Sequence, residues 1–237
     1  MSRTPLLYYI TDRTAFAADE PTRRRRLLEK IAEAARADVD YIQLREKDLP
    51  TRDLESLARE VIGIIHQLRT ENRELRTALL INSRTDIALA IAADGVHLRS
   101  HDISPKEVKE IWGKAHVGTA ALGCPAERSS AALSPHQPLI TVSCHSVEDV
   151  HQAAAQGADF AVFAPVFEKK DAPDSKPAGL AALKDACRAN IPVLALGGVT
   201  LANARSCLDA GAAGIAAIRL FQENNIEAIV HALRERS

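Results

Sequence analysis

The segment IPVLALGGVT at Ile191–Thr200, with its echo AGAAGIAAIR at Ala210–Arg219, constrains the fold more than any other part of the chain. Ile191, Val193, Leu194, Ala195 and Leu196 form an apolar run that stops at Gly197–Gly198. A strand apolar at nearly every position must be covered on both faces, as in a parallel sheet. Two glycines at its C-terminal end remove side chains where an anionic group would approach backbone N–H donors. The second run, Gly214–Ile218, follows a helix-like stretch at Leu201–Ala210 and ends on the positive charge of Arg219. The last two units of a (β/α)8 barrel build a phosphate site in this way, which makes Gly197, Gly198, Ile218 and Arg219 candidate phosphate-binding residues. Glycines that only permit tight βα turns are the competing explanation.

The rest of the chain repeats the strand–helix rhythm. Leu6–Asp12, Tyr41–Leu44, Ala78–Ile81, Gly95–Leu98, Leu139–Ser143 and Phe160–Val166 read as strands. Helical periodicity separates them at Thr22–Ala37, Arg52–Asn72, Asp86–Ala93, Val147–Gln156 and Leu180–Asn190, with Ser104 and Pro105 opening a further helix that reaches Trp112. Gly113–Pro138 breaks the rhythm and reads as an insertion, or an irregular connection between helix 4 and strand 5, with a strand at His116–Leu122. Eight strands alternating with helices predict an α/β chain folded as one single-domain (β/α)8 TIM barrel over residues 1–237. Two doubly wound domains would need a linker, and no shift in composition offers one.

Bulk properties exclude several functions. The formal net charge is −1, so no global field favours nucleic acid or an anionic membrane. The basic run Arg23–Arg26 opens an amphipathic helix beside Glu29 and Glu33 and reads as a solvated face. The 4 cysteines lack metal-site spacing and suit unpaired thiols in a reducing compartment. No apolar stretch approaches the ~20 residues of a membrane helix, and the N-terminus lacks a signal-peptide core. The expectation is a soluble, cytoplasmic enzyme with a small-molecule partner.

Polar residues collect at the C-terminal ends of the predicted strands, which in a barrel all meet on one face. Arg45 and Lys47 alternate on an extended backbone, so both point one way. With Asn82 and Lys169 or Lys170 they could hold a polyanion, or they could form a surface network with Glu46. His145 is the acid–base candidate at a strand end. His97 lies inside its strand and reads as a core group or a support for the site. Cys144 should face the helices. Asp102 is a carboxylate suited to Mg²⁺ at the barrel mouth, but Ser83, after Asn82, is a poor ligand.

Together YYITD, YIQLREK, LLINSRTDIALAIAADGVHL, VSCHS, GADFAVFAPVF and IPVLALGGVT–AGAAGIAAI resemble the thiamine-phosphate synthase/TenI family from about Leu6 to Leu233. The resemblance implies a TIM barrel in thiamine biosynthesis, with thiazole phosphate held by Gly198 and the Ile218–Arg219 turn. It also implies two branches. The synthase joins hydroxymethylpyrimidine pyrophosphate to thiazole phosphate with Mg²⁺; Gln43, Arg45, Lys47, Asn82 and Asp102 match its pyrimidine, pyrophosphate and metal positions. That pattern has Asp where this chain has Ser83, and a Thr-x-Thr-Lys loop where this chain has Glu168-Lys169-Lys170-Asp171. The TenI branch, a thiazole tautomerase, needs no cofactor. Its Ser-x-His-Ser pattern is matched by Ser143, His145 and Ser146, although many synthases also have that histidine. The expectation is therefore a tautomerase with His145 catalytic, and Ser143, Lys169 and Lys170 among the remnants of the pyrophosphate site. The alternatives are a Mg²⁺-dependent synthase and, from another class, a binding or regulatory barrel that has lost catalysis. A homo-oligomer is compatible with either enzyme.

Overall fold

The computed structural model describes residues 4–121, 137–168 and 176–235. Eight strands lie in parallel order and close on themselves: β1 Leu6–Ile10, β2 Tyr41–Leu44, β3 Ala78–Asn82, β4 Gly95–Leu98, β5 Leu139–Cys144, β6 Phe160–Phe163, β7 Val193–Ala195 and β8 Gly214–Ala217. The predicted single-domain (β/α)8 barrel is thus the fold of the chain. Between the strands run α1 Glu20–Arg36, α2 Thr51–Glu71, α3 Thr85–Ala90, α4 Pro105–Ala121, α5 Val147–Ala155, α6 Gly179–Ala186 and α7 Ala204–Asp209. After β8 come α8 Arg219–Gln222 and α9 Ile226–Glu235.

Strand alternation sorts the apolar residues into two layers. Tyr8, Ile10, Leu80, Val162, Leu194 and Ala216 fill the barrel interior. Their neighbours Leu7, Tyr9, Leu79, Ile81, Phe163 and Ile215 face outward and pack with Leu27, Ile31, Leu57 and Leu183 of the surrounding helices. Cys144 falls in this outer layer, as its alternation predicts, and burial pushes its thiol up to about 12.

The largest departure from expectation is at α4. The predicted strand over His116–Leu122 is not formed: the chain is helical through Ala121, so Gly113–Ala121 prolong the helix that was expected to stop at Trp112. Residues 122–136 lie outside those described. The physical reason is the strength of the helix start. The Ser104 hydroxyl and the Glu107 carboxylate exchange hydrogen bonds with each other's backbone N–H, at 3.3 and 2.8 Å, ahead of the buried Val108 and Trp112. Once nucleated, a helix adds residues at little cost, so the local propensity of Val117 and Thr119 loses.

A repeated device closes the N-terminal end of the barrel. The Asp40 carboxylate accepts the N–H of Leu7 in β1 at 2.8 Å, and its carbonyl accepts that of Ala78 in β3. Asp94 does the same one unit on, taking Leu79 with its side chain at 2.7 Å and Leu139 with its carbonyl. Asp159 takes Ile140 at 2.8 Å. In the last unit Ala213 holds the corresponding position, and only its carbonyl acts, on Leu6. Replacing Asp159 with Ala leaves a strand N–H without its acceptor, which costs about 1–3 kcal/mol. Urea denaturation should show that loss for Asp159→Ala and a smaller one for Asp159→Asn, which retains an acceptor oxygen.

Candidate active site

The C-terminal mouth of the barrel brings most of the predicted site residues together. At its floor runs a chain of buried polar groups. His97 Nδ1 lies 2.8 Å from the Thr141 hydroxyl and 3.3 Å from that of Tyr8, while Nε2 lies 2.8 Å from the Ser143 hydroxyl. Beside it the Gln43 side-chain amide donates to Asn82 Oδ1 at 2.8 Å, and Gln43 Oε1 is buried with no partner among the described residues. An unpaired acceptor of this kind is costly in a folded interior unless a ligand donor meets it. Ser143 and Asn82 therefore sit where they were expected, and His97 supports them from below.

Arg45 rises from the end of β2 above this floor. Its backbone N–H is fixed by the Thr11 hydroxyl at 3.0 Å, and that hydroxyl donates to the Glu46 carboxylate at 2.6 Å. Glu46 points away from Arg45 and Lys47, as alternation requires, and is buried against Arg13. Arg13 in turn forks onto Asp48 at 2.6 and 2.9 Å. Glu46 is thus buried against Arg13 and not part of an exposed surface network, and Arg13 is a partner the sequence reading missed. The guanidinium of Arg45 makes no side-chain hydrogen bond among the described residues. Burial lowers its pKa, with Asp12 and Glu46 opposing and Arg99 adding to the decrease.

Asp102 is present at the mouth, but its carboxylate is engaged. It accepts the Arg99 backbone N–H at 2.8 Å and an Arg99 guanidinium N–H at 3.0 Å. Burial pushes its pKa up, and the neighbouring Ser83 hydroxyl with the Arg99 groups outweighs it and lowers the carboxyl below its usual range. The Ser83 oxygen itself is buried and meets no partner at full hydrogen-bond geometry. A cavity of about 400 Å³ opens here, walled by Ser83, Arg84, Leu98, Asp102 and Ile103. One carboxylate occupied by a guanidinium beside a neutral hydroxyl does not fit Mg²⁺, which takes hard oxygen ligands with ideal octahedral geometry. No group of three or more His, Cys, Asp or Glu side chains is disposed to hold a metal among the described residues.

His145 stands at the end of β5 on the other side of Ser143, and is exposed. Its Nδ1 lies 2.8 Å from the carbonyl oxygen of Ala164. A carbonyl only accepts, so Nδ1 bears the proton and Nε2 of the neutral ring is left with the lone pair. The next residues of the β6 loop reach the Gly-Gly turn: Val166 N–H donates to Leu196 at 2.9 Å and Phe167 N–H to Gly197 at 3.0 Å. His145 and the turn are therefore tied through one loop. Lys169 and Lys170 lie outside the described residues.

Gly197 and Gly198 both have positive φ, 96° and 65°. The backbone N–H groups of Gly197, Gly198 and Val199 make no hydrogen bond among the described residues, whereas the Gly198 carbonyl is held by Asn203 at 3.0 Å. A Cβ on Gly198 would lie 2.5 Å from the Glu168 carbonyl oxygen and 2.7 Å from Phe167 Cβ. The glycine is thus demanded by the close approach of the chain's own β6 loop, in addition to any need for an anion. Ile218 and Arg219 follow β8 next to this turn and are half-buried.

A larger groove of about 540 Å³ lies outside the barrel between α1 and α2, lined by Pro21, Leu28, Ile64 and the stems of Arg24 and Arg25. It lies away from the strand ends, where the hydrogen-bonded polar groups gather. A (β/α)8 barrel with its titratable and hydrogen-bonding side chains gathered at the C-terminal mouth is the architecture of an enzyme acting on a small molecule there. The particular family is thiamine monophosphate synthase, to which the chain belongs: that family's sequence profile matches residues 7–124 and 115–221. The thiamine-phosphate synthase of Methanoculleus marisnigri is 35% identical over 233 residues, covering 97% of this chain and 94% of that protein. The thiamine-phosphate synthase of Roseiflexus castenholzii is 34% identical over 215 residues, 90% of this chain and 79% of its own length. Among solved structures, the thiamine phosphate pyrophosphorylase from Pyrococcus furiosus aligns with a TM-score of 0.71 at 28% identity, covering 98% of this chain and 95% of that one. The protein is an enzyme of thiamine biosynthesis. No helix among the described residues is long and apolar enough to cross a membrane.

Burial, with the nearby Arg45 adding to it, lowers the pKa of His97 from 6.5 to about 3. Below pH 6.5 the unfolded chain takes up a proton that folded His97 refuses, so stability must fall as pH drops through that window. Denaturation between pH 7 and pH 4 should show wild type losing up to about 1.4 kcal/mol per pH unit more than His97→Asn. Separately, Gly198→Ala forces a side chain into a positive-φ position against the β6 loop. It should lower the denaturation midpoint by an amount equivalent to about 1–3 kcal/mol.

Proposed function

We propose that this protein is a thiazole tautomerase that aromatises a thiazole phosphate by moving a proton, with His145 as the proton carrier. The observation that supports this best is the bond from His145 Nδ1 to the Ala164 carbonyl, which leaves Nε2 as an exposed base at the barrel mouth. Aromatising an exocyclic-alkylidene thiazole needs a ring proton removed and a proton delivered to the side-chain carbon. Imidazole titrates in the range where one group can do both. In this reading the phosphate lies on the N–H groups of the Gly197–Gly198 turn near Ile218 and Arg219, and the ring lies over Ser143 and the Gln43–Asn82 pair. No metal is required, in keeping with the engaged Asp102 and the hydroxyl at Ser83.

A second reading, the synthase, is favoured by the names of the relatives and by the retention of Gln43, Arg45 and Asn82. Turnover of the thiazole tautomer and of the two synthase substrates with Mg²⁺, measured side by side, separates the two. His145→Gln should depress tautomerase turnover by about 10²–10⁴-fold with little change in substrate binding. Near wild-type turnover by His145→Gln removes the histidine from the mechanism. Thiamine phosphate formation in the absence of tautomer turnover replaces this reading with the synthase.

A further inference from the structure

Three polar atoms meet below the mouth in a closed triangle. Tyr8 Oη lies 3.1 Å from Thr141 Oγ1 and 3.3 Å from His97 Nδ1, and Thr141 Oγ1 lies 2.8 Å from the same nitrogen. Tyr8 and Thr141 are fully buried and His97 is 4% exposed. Among the described residues neither hydroxyl has a partner outside the triangle. The other ring nitrogen, Nε2, lies 2.8 Å from Ser143 Oγ, and Ser143 is half-buried at the mouth.

Buried hydroxyl protons need acceptors, and this requirement orders the whole chain of groups. Burial raises the pKa of the Tyr8 phenol and lowers that of His97, so near neutral pH the phenol keeps its proton and the ring carries one. Suppose that ring proton sat on Nδ1. The two hydroxyls would then share the single contact between them, and only one of their protons could lie along it. The other would face no acceptor. With Nδ1 bare, Tyr8 donates to Thr141 and Thr141 donates to Nδ1, and both protons are satisfied.

We infer that Tyr8 and Thr141 hold the proton of His97 on Nε2, which donates to Ser143 Oγ and leaves the Ser143 hydroxyl to donate to a ligand at the mouth. Tyr8, Thr141 and His97 are thus positioning residues, and they pass a fixed polarity from the barrel interior to a group that meets substrate. The proton order is independent of the reaction; its use on a thiazole rests on the tautomerase reading. A thiazole ring nitrogen has a lone pair and no proton, so it takes a donor. Electron density builds on the ring as its proton leaves, and a donor already fixed there stabilises it.

Spectra correlating ¹⁵N with ring protons, recorded on the full chain labelled at histidine, test the order directly, because protonated and bare ring nitrogens differ widely in shift. The His97 ring, identified by the signals lost in His97→Asn, should carry a proton on Nε2 and none on Nδ1 from about pH 5 to 8. A proton on Nδ1, or a ring that titrates in that range, overturns the proposal. Tyr8→Phe/Thr141→Val leaves Nδ1 without a donor. It should lose about 3- to 10-fold in kcat for the thiazole tautomer, the worth of one hydrogen bond, at nearly unchanged KM. Tyr8→Phe/Thr141→Ser returns a hydroxyl to Nδ1 and should recover most of that loss. Wild-type kcat in the first variant, or no recovery in the second, overturns the positioning role. The spectra need no substrate and decide the order on wild type alone. An absence of tautomer turnover therefore removes the tautomerase assignment and leaves the proton order standing.

Discussion

Closure of eight parallel strands is the constraint on which everything else in this molecule rests. A closed sheet has no edge, but the strands are staggered, and the first N–H groups of several of them project past their neighbours at the N-terminal end. Asp40 and Asp94 resolve this with both of their acceptors. Each carboxylate reaches back one strand and each carbonyl reaches forward one, so a single residue spans three strands. Asp159 supplies the same carboxylate contact in the next unit. These contacts tie the strands together at the end remote from the chemistry, and the opposite end presents side chains.

That division of labour explains the polar interior. Apolar residues such as Tyr8, Leu80, Val162 and Leu194 fill the lower barrel, and above them the inward positions turn polar at Gln43, Asn82, His97, Thr141 and Ser143. Burial of His97 keeps it neutral, so it can pair with Thr141 and Ser143 without bringing a second positive charge beneath Arg45. A charged imidazole there would add to the repulsion that Arg99 already exerts. Arg13 and Glu46 do the corresponding work outside the barrel. Their buried pair, joined to Thr11, holds the Arg45 backbone from behind, and breaking one partner of such a pair leaves an uncompensated buried charge.

The departures from the synthase pattern fall at two places in the sequence, Ser83 at the end of β3 and the loop 168–171 after β6. The Gly-Gly turn after β7 and His145 after β5 match the pattern shared by both branches. The barrel presents each group on a separate strand end, so one group can change without displacing another.

Much of this was legible in the sequence. Apolar runs ending in glycine or polar residues gave the strands, and the alternation within them assigned Cys144 outward and Arg45 and Lys47 to one common side, because a period of two depends only on the backbone. The motifs gave the family, and the strand-end positions of Asn82, Ser143 and His145 followed from the architecture alone. What the sequence could not give is who meets whom across the barrel. Nothing local in Arg13 says that it will be buried on Glu46, 33 residues away. Nor does Asp102, a carboxylate in a metal pattern, reveal that Arg99 occupies it; an i,i+3 spacing in a loop fixes no contact until the strands set the loop's direction. Gly198 shows the same limit from the other side. Its sequence context points to an anion, and only tertiary packing brings Glu168 and Phe167 against it, because closure of β6 on β7 leaves no room there for a side chain.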